Sequence, residues 1–489
     1  MSLATISAYT ELDLMPLAGK WRRGSSAAVL TDTDPYRGDL LVEMPLATVE
    51  DVAAAYAGAR DAQADWAAAS PGERSAIFLR AAEVLDHRQE ELVQWLIQEA
   101  GTTRTRALVE IGIVRATAMA AVTHTWLGEV TVATDVPGKE NRIYTRPAGV
   151  VGVISPWNFP MHLSYRSVAP ALAVGNTVVL KPAEDTPVTG GLLIAKVLEE
   201  AGLPPGVLSV VVGRGSEVGD AMVEHPVPRV ISFTGSTRVG QGITRKAGVK
   251  RLALELGGNG PFVVLDDADL ERAVEAAVFS NYWHQGQICM ATNRVIVDAA
   301  VHDEFVDRFL DAAQALVTGD PSQAATQIGP VINDKQLRGV RDKVTRSVDA
   351  GAQLLLAGEP HGPTGRVLPP HVLLGTNDVP TAAEEVFGPV ATIIKADGEH
   401  DALRIANDTT YGLSSAVFTG DAERGIAFAL RVEAGMTHVN DTTVHDDIHV
   451  AFGGEKQSGL GRFGGDWVLE DFTTQHWVSV QHVRRPLPY

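Results

Sequence analysis

The chain predicts an α/β fold of two doubly wound, Rossmann-like α/β units with a small β extension. Three observations lead there. At 489 residues it exceeds the length at which one hydrophobic core keeps growing, so more than one unit is expected. From Gly149 onward, short apolar runs of strand length alternate with helical patterns, which favours parallel strands covered on both faces. The alternation occurs twice, and two units joined near Gly257-Gly258 are the simplest account.

Taken in order, residues 49–126 read as helical. Val52, Ala55 and Tyr56 open one helix, and Ile77, Leu79, Ala82, Leu85, Leu92, Trp95 and Leu96 recur near the 3.6-residue period of a long second one. A third is expected over 104–126. Residues 130–145 turn β-like around Pro137-Gly138 and predict a hairpin outside the main alternation. The first series has strands at 150–154, 177–180, 208–212, 230–233 and 252–256, with a helix over 188–201. The second runs from Phe262 to Asn440, with strands near 295–297, 354–356, 390–394 and 416–419 and helices over 269–283, 303–316 and 334–350.

Composition narrows the function. With 45% hydrophobic and 21% charged residues and no long biased tract, the chain should fold throughout. A net charge of −19 without a basic stripe repels phosphate backbones and anionic lipid, so neither nucleic acid nor a membrane is an expected partner. The longest apolar stretch, 168–180, is broken by Pro170, Gly175 and Asn176 and falls short of the ~20 residues of a membrane span. With no export signal and a single free thiol, a cytoplasmic protein is expected, and no metal site is foreseen.

That thiol, Cys289, lies in His284-Gln285-Gly286-Gln287-Ile288-Cys289-Met290, where glycine and flanking glutamines suit a turn that brings sulfur to solvent. A lone cysteine is commonly an inert core residue. Glu255, in Leu254-Glu255-Leu256-Gly257-Gly258, offers a carboxylate base, and a thiol with a positioned base is the minimum for covalent chemistry on a carbonyl. Because the unit boundary falls between the two, the site should lie in the cleft between units.

Other loops at strand ends could join them. Gly213-Arg214-Gly215 approaches a dinucleotide fingerprint but is one residue too long before Gly219, and suits an ordinary turn. Gly235-Ser236 follows a strand and opens a helix, either as an N-cap or as a phosphate cradle. Lys181 and Glu184 are either a solvated pair or ligands for ribose hydroxyls. Asn158, in Ser155-Pro156-Trp157-Asn158-Phe159-Pro160, is either a turn residue or a neutral donor to an oxyanion.

Taken together, Pro156-Trp157-Asn158-Phe159-Pro160, Lys181-Pro182-Ala183-Glu184, Phe233-Thr234-Gly235-Ser236, Glu255-Leu256-Gly257-Gly258, Gly286-Gln287-Ile288-Cys289, Glu385-Val386-Phe387-Gly388-Pro389 and Phe452-Gly453-Gly454-Glu455-Lys456-Gln457-Ser458-Gly459 resemble, in order, the aldehyde dehydrogenase superfamily. His284 to Met290, Gly257-Gly258-Asn259 and Gly459-Leu460-Gly461-Arg462-Phe463-Gly464-Gly465-Asp466-Trp467 resemble its benzaldehyde and vanillin dehydrogenase branch. Many members have lysine where this chain has Asn259, a departure expected to tune the surroundings of Glu255.

The resemblance implies a dinucleotide-binding domain over 1–127 and 147–256, a catalytic domain over 257–454, and an oligomerisation arm and C-terminal segment over 128–146 and 455–489. Homodimers or homotetramers would follow. It further implies NAD(P)-dependent oxidation of an aldehyde, aromatic by the narrower match, to its acid, with Cys289 as nucleophile, Glu255 as general base and Asn158 in the oxyanion hole. Trp157, Lys181, Glu184, Gly235, Ser236, Glu385 and Phe387 would bind NAD, with NADP as the alternative. Phe159, His162, Tyr165, Trp283 and Phe452 either form an aromatic substrate tunnel or pack as core. Aliphatic aldehydes or semialdehydes, a CoA-acylating enzyme and a non-catalytic dinucleotide binder are the competing expectations.

Overall fold

Residues 8–487 are described by the computed structural model, so the ends of the predicted domain ranges, 1–7 and 488–489, lie outside the described residues. Two large sheets organise the chain. The first has five parallel strands in the spatial order Leu208–Val210, Thr177–Lys181, Val150–Ile154, Val230–Thr234 and Arg251–Glu255, with the order of the chain reversing at Val150–Ile154. Such a reversal opens a crevice beyond the carboxyl ends of the strands. Its strands are almost wholly buried, as sheets with both faces covered must be.

The second sheet orders Gln353–Leu356, His371–Leu374, Val390–Ala396, Thr292–Asp298, Gly260–Val264, Ser414–Phe418 and Met436–Val439, parallel except for the first pair. Only four residues separate Glu255 from Gly260, so the chain crosses between sheets at Leu256 to Asn259. The C-terminal segment returns to the first sheet, where Gly459–Leu460 pairs antiparallel with Leu254 and Glu255. Residues beyond 454 therefore build part of the first unit as well as an arm.

The predicted hairpin is present. Glu129–Val132 pairs with Lys139–Pro147, and Thr473–Gln481 adds a third antiparallel strand along nine register pairs. Trp477 and Val130 are 62% and 59% exposed on this ribbon.

Two helices differ from expectation. The long second helix is two, Pro71–His87 and Gln89–Ala100, broken at Arg88 with φ −103° and ψ 10°. The break is tertiary in origin. The Arg88 guanidinium donates to Glu200 at 2.7 Å and to Glu91 at 3.2 Å, and covers the Tyr9 ring at 4.2 Å. The third helix, Arg104–Thr123, stops before Trp126, which is 73% exposed. Neighbours hold its end: the Ser75 hydroxyl donates to Val122 O in the last turn and Arg74 to Thr125 O just beyond it, both at 2.9 Å. Two short N-terminal hairpins, Met15–Leu17 with Lys20–Arg22 and Val29–Thr33 with Leu40–Pro45, were not anticipated.

Candidate active site

Cys289 reaches the crevice through an unusual piece of backbone. After the helix Leu270–Tyr282, His284, Gln285 and Gly286 take φ of 52°, 58° and 67°, a left-handed run that costs each non-glycine residue roughly 1–2 kcal/mol. The surroundings over-determine it. Gln285 donates to Pro330 O at 2.8 Å, and Ile332 N–H donates to the Gln287 side chain at 3.0 Å. Gly258 packs so tightly on this loop that a Cβ there would sit 2.0 Å from Cys289 O. The glycine pair at the crossover thus lets the first unit's last strand approach the thiol loop.

Asn158 comes from the opposite side, in the loop after strand Val150–Ile154 and just ahead of the helix Pro160–Ala173, which opens with proline at its first turn. One hydrogen of its side-chain amide is committed to Gln287 O at 2.8 Å, which leaves the other free. The Asn158 carbonyl accepts from the buried Arg106 guanidinium, itself paired with buried Glu110. Glu110 also accepts from the Met161 and His162 amides at 2.9 and 3.0 Å, clamping the whole turn.

A cleft of about 260 Å³ brings these together: Trp157, Asn158, Gly235, Ser236, Gly257, Cys289, Glu385 and Phe387 all line it, with Gln336 and Lys343. Cys289 is partly exposed there, so its sulfur is not sealed in the core. The Trp157 and Phe387 rings meet edge-on at 5.3 Å, and the Gln336 side chain holds Phe387 O at 2.8 Å. Glu385 accepts from Gly258 N–H at 2.9 Å, and burial raises its pKa to about 7.

The same cleft fits a dinucleotide. Ser236 occupies the N-cap of helix Thr237–Lys246, yet its side chain makes no capping bond, so the hydroxyl and the first-turn amides are open to a phosphate. A Cβ on Gly257 would stand 2.6 Å from a Glu385 oxygen, so bare backbone is required at that wall. Lys181 is buried with one hydrogen bond, to Pro182 O at 3.1 Å, and burial lowers its pKa to about 8, the unsatisfied state expected of a ligand-binding ammonium. Glu184 is held by Gly215 N–H at 2.7 Å; the glycine turn after strand Leu208–Val210 thus orients a carboxylate beside Lys181.

Glu255 ends its strand fully buried, with both carboxylate oxygens unpartnered and the Arg166 guanidinium 4.0 Å away. Burial pushes its pKa up to about 8; Arg166 and Arg462 pull it down, while Asp446 and Asp471 push it higher. Burial likewise pushes the Cys289 thiol up to about 12, with Arg166 opposing and Glu255, Glu385 and Asp446 adding to the rise. Both groups are therefore neutral at pH 7.

The predicted tunnel residues divide. His162 and Phe452 line a small chamber of about 40 Å³ with Arg166, Asp446 and Phe463. His162 Nε2 lies 3.0 Å from Asp446 Oδ2, and Arg166 is stacked between Phe452 and Phe463 at 4.9 and 4.7 Å. The chamber shares Ala120, His124, Ile448 and Gly465 with an outer vestibule of about 730 Å³, where His449 also sits. Phe159 and Trp283 form a separate aromatic pair at 6.0 Å, and Tyr165 lies in the core of the first unit with its hydroxyl unpartnered. His445 instead packs edge-on against His438 at 5.5 Å.

The expectation for Asn259 is corrected. Its side chain donates to Ala382 O at 2.6 Å and accepts from Arg294 Nε at 3.2 Å, so it serves a buried arginine of the second unit and makes no bond to Glu255. Sequence reading also passed over Arg166, Asp446, Arg106, Glu110, Gln336 and Lys343. A signal existed for three of them, Arg166, Arg106 and Glu110: His162/Arg166 and Arg106/Glu110 are polar pairs at (i, i+4) on helices whose apolar faces are buried, where such residues are rarely enclosed without a task.

Comparison with known proteins agrees with this geometry. The family model described as the aldehyde dehydrogenase family matches residues 21–478. The chain is similar to a vanillin dehydrogenase of Corynebacterium glutamicum, 50% identical with 95% of this chain and 97% of the relative covered, and to the benzaldehyde dehydrogenase YfmT of Bacillus subtilis, 48% identical over 98% and 99%. Among solved structures, that of an NAD-dependent benzaldehyde dehydrogenase from Corynebacterium glutamicum superposes with a TM-score of 0.90 at 46% identity, covering 99% of each chain. With the thiol loop, the crossover glycines and the two-sheet crevice in place, the chain belongs to the aldehyde dehydrogenase family and is an enzyme of that kind.

Proposed function

We propose that the enzyme oxidises aromatic aldehydes to carboxylic acids with NAD, using Cys289 as nucleophile, Asn158 as oxyanion donor and Glu255 as general base. The observation that carries this reading is the opening of Cys289 and Asn158 onto the one cleft whose walls suit a dinucleotide. The Cys289 sulfur attacks the aldehyde carbon as its thiol proton passes to solvent water at the cleft. The carbonyl oxygen becomes an oxyanion held by the free Asn158 amide hydrogen and the Cys289 backbone N–H. Oxidised nicotinamide, when bound, would supply the acceptor for the hydride lost from the former aldehyde carbon, and collapse of the oxyanion leaves the acyl group on Cys289 as a thioester. Glu255 then takes a proton from the water that cleaves this thioester, releasing the acid and the thiol.

Trp157, Lys181, Glu184, Gly235, Ser236, Glu385 and Phe387 are the proposed cofactor residues. Lys181 and Glu184 would hold the adenosine ribose, Ser236 and the bare Gly235 backbone the pyrophosphate, and Glu385 and Phe387 the nicotinamide end. The Glu184 carboxylate faces like charge if a 2′-phosphate is present, which supports NAD over NADP. The Phe159 and Trp283 pair beside the thiol loop, Phe452 in the small chamber and the substrates named for the similar enzymes support a planar, apolar aldehyde. The unit over 1–127 and 147–256 would bind the dinucleotide, and that over 257–454 would carry the thiol. The arm of 128–146 with 455–489 would join subunits into a homodimer or homotetramer through the exposed edges of its ribbon. Among the described residues, no helix is long and apolar enough to cross a membrane.

A panel of aldehydes assayed with each dinucleotide tests the substrate and cofactor together. Benzaldehyde and vanillin are expected to exceed linear aldehydes in kcat/KM by about fivefold or more, one aromatic contact being worth roughly 1 kcal/mol, and NAD to exceed NADP by at least about tenfold. Equal values for aliphatic and aromatic aldehydes would remove the aromatic assignment, and turnover only with added CoA would replace water as the acyl acceptor.

Asn158→Ala removes the oxyanion donor and leaves Gln287 O without its partner. A loss of about 10²–10³ in kcat, with KM little changed, is expected from the loss of one such donor. A variant whose kcat is unchanged while KM rises would make Asn158 a binding residue instead.

A further inference from the structure

Buried polar atoms nearly always find a partner, and the exceptions ask for an explanation. Here two complementary sets of exceptions face each other. Both oxygens of Glu255 are buried and unpartnered, and so are Nε and Nη2 of Arg166. Arg166 Nη2 and Glu255 Oε2 stand 4.0 Å apart, just beyond hydrogen-bonding distance. The guanidinium slides between two flat rings, Phe452 and Phe463, an arrangement that fixes its plane while leaving its edge free.

We propose that Arg166 is a positioning residue for Glu255: when the carboxylate ionises, the guanidinium closes onto it as a charge-assisted fork and so makes the base form available near neutral pH. The inference rests on the reading of Glu255 as the base. The other charges facing Glu255 do not take this part. Arg462, from the C-terminal segment, spends its donors on Gly454 O, Gly461 O and Glu455. Asp446, from the loop beyond strand Met436–Val439, is engaged by His162 at 3.0 Å and so is kept from capturing Arg166. Asp471 repels the Glu255 carboxylate, as Asp446 does. Cys289 is neutral at rest. The free cationic edge is that of Arg166, and it arrives on the helix Pro160–Ala173 four residues after His162. The His162–Asp446 pair and the Arg166–Glu255 pair thus sort two carboxylates between two neighbouring side chains of one helix.

The test is the pH profile of single-turnover and steady-state NADH production from benzaldehyde in Arg166→Met, Arg166→Gln and Arg166→Lys. Methionine keeps the packing between the two rings, glutamine carries the same test should methionine fail to fold, and thermal denaturation reports the fold of each. An opposite charge at this distance moves a carboxylate by about 1–3 pH units. The neutral variants are therefore expected to show the wild-type burst, an ascending steady-state limb displaced upward by about that amount, and a steady rate at pH 7 lowered about ten- to a thousandfold. Lysine should bring the limb back toward the wild-type position, which a role in packing alone would not predict. A neutral variant with its limb at the wild-type pH overturns the proposal, as does one that loses the burst, since Arg166 would then serve the first chemical step. Failure of the underlying reading is separable: Glu255→Gln would keep steady turnover.

Discussion

Replacing Cys289 by alanine is expected to abolish aldehyde oxidation, lowering kcat by about 10⁴–10⁶, the range seen when a nucleophile is removed. Dinucleotide binding should survive, because the sulfur is one wall of a cleft whose cofactor contacts come from Trp157, Ser236, Glu385 and Phe387. Trp157 lies in that cleft, so its fluorescence offers a binding signal independent of turnover. The chain's only cysteine makes a second measurement clean: alkylation by iodoacetamide adds one group, and it can be only at Cys289. With the thiol pushed up to about 12, little thiolate is present at pH 7. Alkylation without cofactor should accordingly be slow and rise about tenfold per pH unit across the neutral range. Normal NADH production by the alanine variant would take the thiol out of the mechanism.

The parts of this site that could be read from sequence are those in which a short motif carries its own geometry. Cys289 was legible because Gly286 and two glutamines mark a turn, whereas Asn158 between prolines read equally as a turn residue and was singled out by the family resemblance. Both sheets were legible because parallel strands buried on two faces leave continuous apolar runs such as Val150–Ile154. What escaped depends on residues far apart in the chain. No glycine or proline marks the break at Arg88, which is made by Glu200 and Tyr9. His371–Leu374 and Met436–Val439 are four residues each, too short for a period to show. Arg166 reads as a surface charge until Phe452 and Phe463, nearly three hundred residues later, fold over it. Asn259 follows the same rule. Its neighbours in sequence point to Glu255, but the start of strand Gly260–Val264 delivers it to Arg294.

Glu255→Gln is expected to separate the two halves of the reaction. Glutamine keeps the size of the side chain but cannot accept a proton from water, so acylation should proceed once per site and deacylation should stall. The observable is a burst of NADH equal to the number of sites, followed by a steady rate lower by about 10²–10⁴, the usual contribution of a general base. The direction of the pH dependence follows from burial. A carboxyl raised to about 8 is protonated below that pH and gains its basic form only as pH rises through it. Wild-type steady turnover should therefore climb through pH 8, while the burst, which does not require the carboxylate, should lack that limb. Because glutamine removes the titrating group, the variant's residual steady rate should be flat through the same interval. Intact thioester on Cys289, trapped by acid quench and seen as a mass increase on the peptide holding Gly286 to Met290, would identify the stalled species. A variant that loses the burst together with steady turnover would instead assign Glu255 to deprotonation of the thiol, the one other step in which a base beside Cys289 could act.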